Sequence, residues 1–498
     1  MGIMRRPRPA LVLVASLLVL AACGGGSTKP HVDPPLPIDE ALALAPHVLR
    51  VDEAQTTQAG YRLFLIQLEQ PVDHADPASP TFQQSAALLY KDRDLPVVLG
   101  TNGYGASRNP GRAELTALLD ANQLTVEHRF FEPSRPAPAD WSKLTIEQAA
   151  ADHHRIVQAL RPVLGQGKWI STGASKGGMT AVYHRRFWPD DVDGTVAYVA
   201  PQSFSSSDPV YVPFVDAVGG AGTVACREQL RGYQRTLLSR RAEVQPLFEA
   251  AATQRADGFT LLGPGLAYDF SVVELPFAFW QYGSASRCAA IPASDASASA
   301  LFAFMDATLG VVDWVGDAAL TYYAPYYHQS ATQLGGPAYR QDHLLDLLPG
   351  GVPANDVPEV YPPKADKPWD AAAMPDVDAW VKATGARLMF VYGERDPWSA
   401  QPFQPAAARD NHRYFVAGAN HGASLSRLSL TDPAAYAEAT AALARWAGVP
   451  AGALTASGPV DFDGTVLLWG ERGVPRVMDP SRRPSEQGLR LDGRGVSR

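Results

Sequence analysis

The chain has 498 residues, 46% of them hydrophobic and 19% charged, with a formal net charge of −8. That length can bury one large core plus an insertion. The acidic balance excludes a nucleic-acid partner, which needs a basic stripe against phosphates, and no stretch is long and apolar enough for a transmembrane helix.

Arg5, Arg6 and Arg8 precede an apolar run from Ala10 to Leu20. The run is too short to span a bilayer and gives residues 1–22 the layout of a secretory signal peptide. Leu20-Ala21-Ala22-Cys23, followed by Gly24-Gly25-Gly26-Ser27, resembles a bacterial lipobox, in which Cys23 is diacylated and becomes the mature N-terminus. Residues 23–38 then read as a lipidated cysteine and linker, polar and proline-rich from Ser27 to Pro37. Loss of three arginines and no acids changes the formal charge from −8 to −11. The expected location is the cell envelope, attached to membrane only through lipid, or free secretion.

Residues 39–200 read as the first part of the folded core. Tyr61 to Asp73 alternates as a strand, and Ser85 to Lys91 is a second. Leu95 to Leu99, Leu124 to Phe131, Lys168 to Thr172 and Thr195 to Ala200 follow as short apolar runs, as expected of strands buried on both faces of a parallel sheet. Helical patterns over Thr145 to Leu164 and Thr180 to Trp188 separate some of them, which argues an α/β fold with a mostly parallel sheet. Asp152-His153-His154 lies in the first of these patterns without further ligands at metal spacing, so it reads as a helix face and not a metal site. No cofactor is implied.

Gly173-Ala174-Ser175-Lys176-Gly177 sits between a strand pattern and a helix pattern. It reads as a nucleophile elbow, a sharp turn that lifts a serine hydroxyl clear of the sheet and aims the next backbone N–H at a developing oxyanion. The second oxyanion donor should come from the loop after an earlier strand, which here is Gly100-Thr-Asn102-Gly103-Tyr104-Gly105. The expected pair is the N–H of Tyr104 with that of Lys176. Lys176 is adjacent to Ser175 and so lacks the Ser-x-x-Lys spacing of a serine–lysine dyad.

Residues 201–376 change to longer helical patterns rich in Phe, Tyr and Trp, and read as a helical lid inserted into the sheet. Cys226 and Cys288 are the other two of the chain's three cysteines. In an exported chain they are expected to form a disulfide closing a loop of about sixty residues, worth about 3–4 kcal/mol on the chain-entropy model.

The core resumes over 377–448. Leu388 to Tyr392 leads into Gly393-Glu394-Arg395-Asp396, and Arg413 to Val416 leads into Ala417-Gly418-Ala419-Asn420-His421. A serine hydroxyl needs a base, and the base needs an orienting carboxylate. The order Ser175, Asp396, His421 is that of α/β-hydrolases. Glu394 is a rival orienter, with Asp396 preferred beneath the histidine. A helix from Pro433 to Trp446 closes the core, and 449–498 reads as a partly disordered extension with one possible strand at Thr465 to Trp469.

Thr172-Gly-Ala-Ser-Lys-Gly-Gly-Met-Thr180, with Glu127-His128-Arg129-Phe130-Phe131 upstream and Trp141 to Arg155 leading into the elbow, resembles the secreted bacterial tripeptidyl aminopeptidases of the streptomycete type. These are relatives of lysosomal Pro-X carboxypeptidase and the dipeptidyl peptidases. The resemblance covers residues 40 to 446 and implies a serine exopeptidase removing tripeptides from free N-termini beneath a helical lid.

Such an enzyme must hold an α-ammonium at a fixed distance from the scissile bond, which calls for a partly desolvated carboxylate. Glu127 and Glu132 are the expected partners, with a structural role for Glu127 as the competing reading. Tyr322, Tyr323, Tyr326, Tyr327 and His328 form an aromatic cluster that either lines a peptide groove or fills the lid core. Two other functions fit the same residues: a carboxylesterase or lipase on the same triad, and a non-catalytic surface lipoprotein that keeps the fold as a binding module.

Overall fold

The computed structural model describes residues 36–352 and 368–454. The leader, Cys23, the linker up to residue 35 and the extension beyond residue 454 lie outside the described residues. The described residues from Ile38 to Leu454 form one compact unit.

Among the described residues, nine strands build a single sheet. They are β1 (Val48–Ala54), β2 (Arg62–Pro71), β3 (Thr81–Tyr90), β4 (Val97–Thr101), β5 (Asn122–Val126), β6 (Trp169–Ala174), β7 (Gly194–Tyr198), β8 (Leu388–Gly393) and β9 (His412–Val416). Their order is β1-β2-β3-β5-β4-β6-β7-β8-β9. β1, β2, β3 and β5 pair antiparallel in succession, and every pairing from β5 through β4 to β9 is parallel. Helices cross between parallel strands, as that geometry requires. This is an α/β-hydrolase fold.

Successive residues of a strand face opposite sides, so each central strand feeds two cores. Val196, Tyr198, Met389 and Val391 pack with Leu443 and Trp446 of the helix Pro433–Ala447. Ala197, Leu388, Phe390 and Tyr392 face the other way, onto Met179 and Val182 of the helix Lys176–Phe187. Met374, Val377 and Val381 of the helix Ala373–Ala383 join that second core, so a boundary at residue 376 falls within a helix that belongs with the sheet.

Between β7 and β8 the described chain is helical. Helices Val224–Ser239, Arg241–Gln254, Pro264–Tyr282 and Ala298–Leu309 enclose a separate core that includes Leu230, Phe248, Phe279 and Met305. A disulfide joins Cys226 to Cys288, their Cα atoms 5.3 Å apart. No helix of the described residues is long and apolar enough to cross a membrane.

Two elements differ from the sequence expectation. β5 ends at Val126, not at Phe131. Phe130 and Phe131 are apolar because they are buried in a turn, where Phe130 has φ +72° and its N–H donates to the Ser134 carbonyl. The turn is held by Arg129, whose Nε and Nη2 each donate to Asp152 at 2.7 Å, with His74 Nε2 2.7 Å from the same carboxylate. Asp152 is therefore packed in an ion cluster on the helix Ile146–Leu160. β1 escaped the sequence reading because it is half-exposed, with no buried residue to set an alternation.

Candidate active site

Ser175 stands at the carboxyl end of β6, immediately before the helix Lys176–Phe187, with φ +53° and ψ −126°. That backbone region is costly for a residue with a side chain and persists only where the surroundings impose it. The glycines on either side show what imposes it. A Cβ on Gly173 would lie 2.4 Å from the Gly177 carbonyl, and one on Gly177 would lie 2.9 Å from the Thr101 carbonyl. Only bare backbone fits between strand and helix at so sharp a turn.

Asp396 follows β8 and is fully buried. Its Oδ1 accepts the Trp398 N–H at 3.1 Å, and its Oδ2 lies 2.7 Å from His421 Nδ1. His421 follows β9 and is 3% exposed. Its Nε2 is buried and makes no hydrogen bond. Glu394 is exposed and accepts the Gly418 N–H at 2.7 Å, a turn contact remote in kind from the histidine.

The insertion helps to hold the histidine loop, a contact that sequence patterns do not reveal. The His421 N–H donates to the Gln281 carbonyl at 3.0 Å, and Asn420 Nδ2 donates to the Tyr282 and Gly283 carbonyls, both at 3.0 Å. These acceptors end the helix Pro264–Tyr282.

Ser175 and His421 line one cleft of about 890 Å³, its open mouth included. Tyr104 and Lys176 border it beside the serine, and Tyr282, Trp314, Tyr323, Tyr326, Tyr327 and Trp398 supply aromatic walls. Tyr322 and His328 are not among the lining residues. A second cleft of about 490 Å³ lies inside the insertion, between Tyr211, Phe277 and Arg340, and holds none of Ser175, Asp396 or His421.

The two glutamates singled out in the sequence do not line the larger cleft. Glu132 has a side chain 57% exposed, 3.3 Å from Arg135 Nη1. Glu127 is buried; its Oε1 accepts the Ala106 N–H at 3.2 Å and its Oε2 accepts Ser134 N–H and Oγ–H at 3.1 and 2.5 Å. Burial pushes its carboxyl up to about 7. An acid that does line the cleft is Asp313, paired with Arg255 Nη1 at 2.8 Å. Its neighbour Trp314 donates Nε1–H to the buried Glu274 at 2.7 Å. Neither acid stands in a recognisable motif; only the packing of the insertion brings them here. Among the described residues no cluster of histidines, cysteines and acids has the makings of a metal site.

A serine on a sharp strand-to-helix turn, at the C-terminal end of a parallel sheet and sharing a cleft with a histidine bonded to a buried aspartate, fits the class of α/β-hydrolase serine peptidases to which its relatives assign the molecule. The chain belongs to the S37 peptidase family: residues 36–460 match the family described as PS-10 peptidase S37. It is 42% identical over 452 residues to the prolyl tri/tetrapeptidyl aminopeptidase of Streptomyces mobaraensis, covering 88% of this chain and 91% of that one. It is also similar to the solved proline iminopeptidase of Mycobacterium smegmatis, at 15% identity and a TM-score of 0.34, covering 80% of this chain and 98% of that one. Homoserine O-acetyltransferase of Staphylococcus aureus compares at 13% identity and a TM-score of 0.35, covering 76% and 94%.

Proposed function

We propose that this peptidase releases short peptides, tripeptides first, from free N-termini by way of an acyl-enzyme. Ser175 is the nucleophile, His421 its base and Asp396 the group that fixes the base. The observation that carries this reading is the bond of 2.7 Å between Asp396 and His421 Nδ1, which leaves the buried Nε2 to serve Ser175 in a shared cleft. In the first half-reaction Nε2 takes the Ser175 proton as Oγ adds to the scissile carbonyl. The N–H groups of Tyr104 and Lys176 receive the oxyanion, and the imidazolium gives its proton to the departing amine. Water then repeats these steps on the ester, freeing the peptide acid.

The aminopeptidase part of the reading draws on the Streptomyces relative and on the acids of the cleft. Asp313, paired with Arg255 at the cleft wall, and Glu274 behind Trp314 are the carboxylates proposed to meet the substrate ammonium, and the aromatic walls offer flat apolar surface to proline at the cleaved bond. A tripeptide amide ending in proline is the test substrate. N-acetylation should lower kcat/KM at least about 100-fold, since the blocked nitrogen is neutral and brings no ammonium to the acids at the cleft. Equal rates on free and acetylated forms, or faster hydrolysis of simple esters, would favour a carboxylesterase.

Export and lipidation belong to the same proposal, supported by Arg5, Arg6, Arg8 and the Leu20 to Cys23 segment. Mass spectrometry of the mature N-terminus should find a diacylated Cys23. An unmodified terminus elsewhere refutes the anchor and leaves the chemistry untouched.

A further inference from the structure

The side chain of Lys176 has no part in the chemistry above, yet it is only 2% exposed. Its Nζ donates to the Gly103 carbonyl and stands 5.5 Å from the Tyr104 ring centre and 5.7 Å from that of Phe131. Among the described residues no carboxylate pairs with it, and burial alone pushes its pKa well below the usual lysine range. Burying an ammonium without a carboxylate is costly, and methionine would fill the same space without that cost. The hydrogen bond to Gly103 is what methionine would lack.

We propose that the Lys176 side chain is a positioning residue that sets the spacing of the two oxyanion donors, its own N–H and that of Tyr104, by gripping the Gly103 carbonyl. The proposal rests on Ser175 acting by acyl transfer. Gly103 C=O and Tyr104 N–H belong to one planar trans peptide group, so they point in opposite directions. Fixing the oxygen therefore aims the N–H. Turning that peptide over changes ψ of Gly103, which no Cβ restricts, together with φ of Tyr104; a grip on the carbonyl oxygen keeps the N–H pointing one way.

The surroundings agree. A Cβ on Gly103 would lie 2.6 Å from Lys176 Cβ and Cγ, so the loop rests directly on the lysine stem. The next carbonyl, of Tyr104, accepts the His128 N–H at 3.0 Å, Asn102 Nδ2 donates to the Gly105 carbonyl at 3.1 Å, and the Ala106 N–H is held by Glu127. Both donors thus depend on one residue: Lys176 supplies one through its backbone and aims the other through its side chain.

The test compares Lys176→Met, Gly103→Ala and their double variant with the wild type and Ser175→Ala. Lys176→Met should lower kcat about 10- to 100-fold with KM within about threefold, the size of effect expected when an oxyanion donor is misplaced. Affinity for a peptidyl boronate, which mimics the tetrahedral state, should fall by the same factor, with affinity for the tripeptide product unchanged. Gly103→Ala should show the same pattern, and the double variant should lose less than the product of the two single losses. A rise in KM without a fall in kcat, equal weakening of boronate and product, or independent effects that multiply would overturn the proposal. If Lys176→Met does not fold, Lys176→Leu, which also removes the donor to the Gly103 carbonyl, decides through the boronate-to-product ratio. A Lys176→Met enzyme equal to wild type, beside an inactive Ser175→Ala, defeats this proposal only; an active Ser175→Ala defeats both readings.

Discussion

Ser175→Ala is expected to lower kcat/KM on a free-amine tripeptide amide by about 10⁴- to 10⁶-fold, the range seen when the nucleophile of a serine triad is removed. The substitution deletes one hydroxyl and leaves the fold's contacts alone. The Ser175 N–H bond to the Tyr198 carbonyl, 2.9 Å, and the Met179 N–H bond to the Ser175 carbonyl, also 2.9 Å, are backbone bonds that alanine keeps. The side chain is partly exposed at the cleft, so no buried partner is orphaned. The unfolding midpoint should therefore stay within about 2 °C of wild type. A fluorophosphonate should label the folded wild type at Ser175 and fail to label the variant. Residual activity within about tenfold of wild type, or an adduct on another residue, would remove Ser175 from the mechanism.

How much of this was legible in the sequence depends on the range of the interaction that carries each feature. Strands β2 to β9 show themselves because burial on one or both faces forces apolar runs, and runs are local. The elbow is partly local: Gly173 is needed by the Gly177 carbonyl four residues on, whereas Gly177 is needed by the Thr101 carbonyl on a neighbouring strand. The Ser175, Asp396, His421 order was readable because each residue follows its own strand, and strand ends share an edge of the sheet. What failed was burial without regular structure. Phe130 and Phe131 read as strand because the pattern cannot tell a buried turn from a buried strand. Glu127 and Glu132 were drawn toward the substrate by their place beside a motif, whereas exposure and hydrogen bonding set them elsewhere. Asp313 reaches the cleft, and Glu274 stands behind the lining Trp314, through the packing of an insertion about 100 to 140 residues along the chain from Ser175, and no periodicity encodes that. The grip of Lys176 on Gly103 spans 73 residues and is invisible for the same reason.

Asp396→Asn is the variant that separates the proposed mechanism from mere proximity, and it should lower kcat about 10⁴-fold with little change in KM. The carboxylate is used at both oxygens. Oδ1 accepts the Trp398 N–H at 3.1 Å, so in asparagine that position must keep the carbonyl oxygen. The amide nitrogen is then forced toward His421 Nδ1, 2.7 Å from the present Oδ2. Facing a donor, Nδ1 must become an acceptor, and the ring proton moves to Nε2. An imidazole protonated at Nε2 cannot take the Ser175 proton, and no carboxylate remains to steady an imidazolium. The defect is one of tautomer, so substrate binding and fold should survive it. Glu394→Gln is the matched control: Glu394 is exposed and its carboxylate serves the Gly418 N–H, so activity should stay within about threefold. If Glu394→Gln carries the large loss and Asp396→Asn the small one, the orienting role passes to Glu394. If both variants stay near wild type, His421 needs no carboxylate and the triad reading fails.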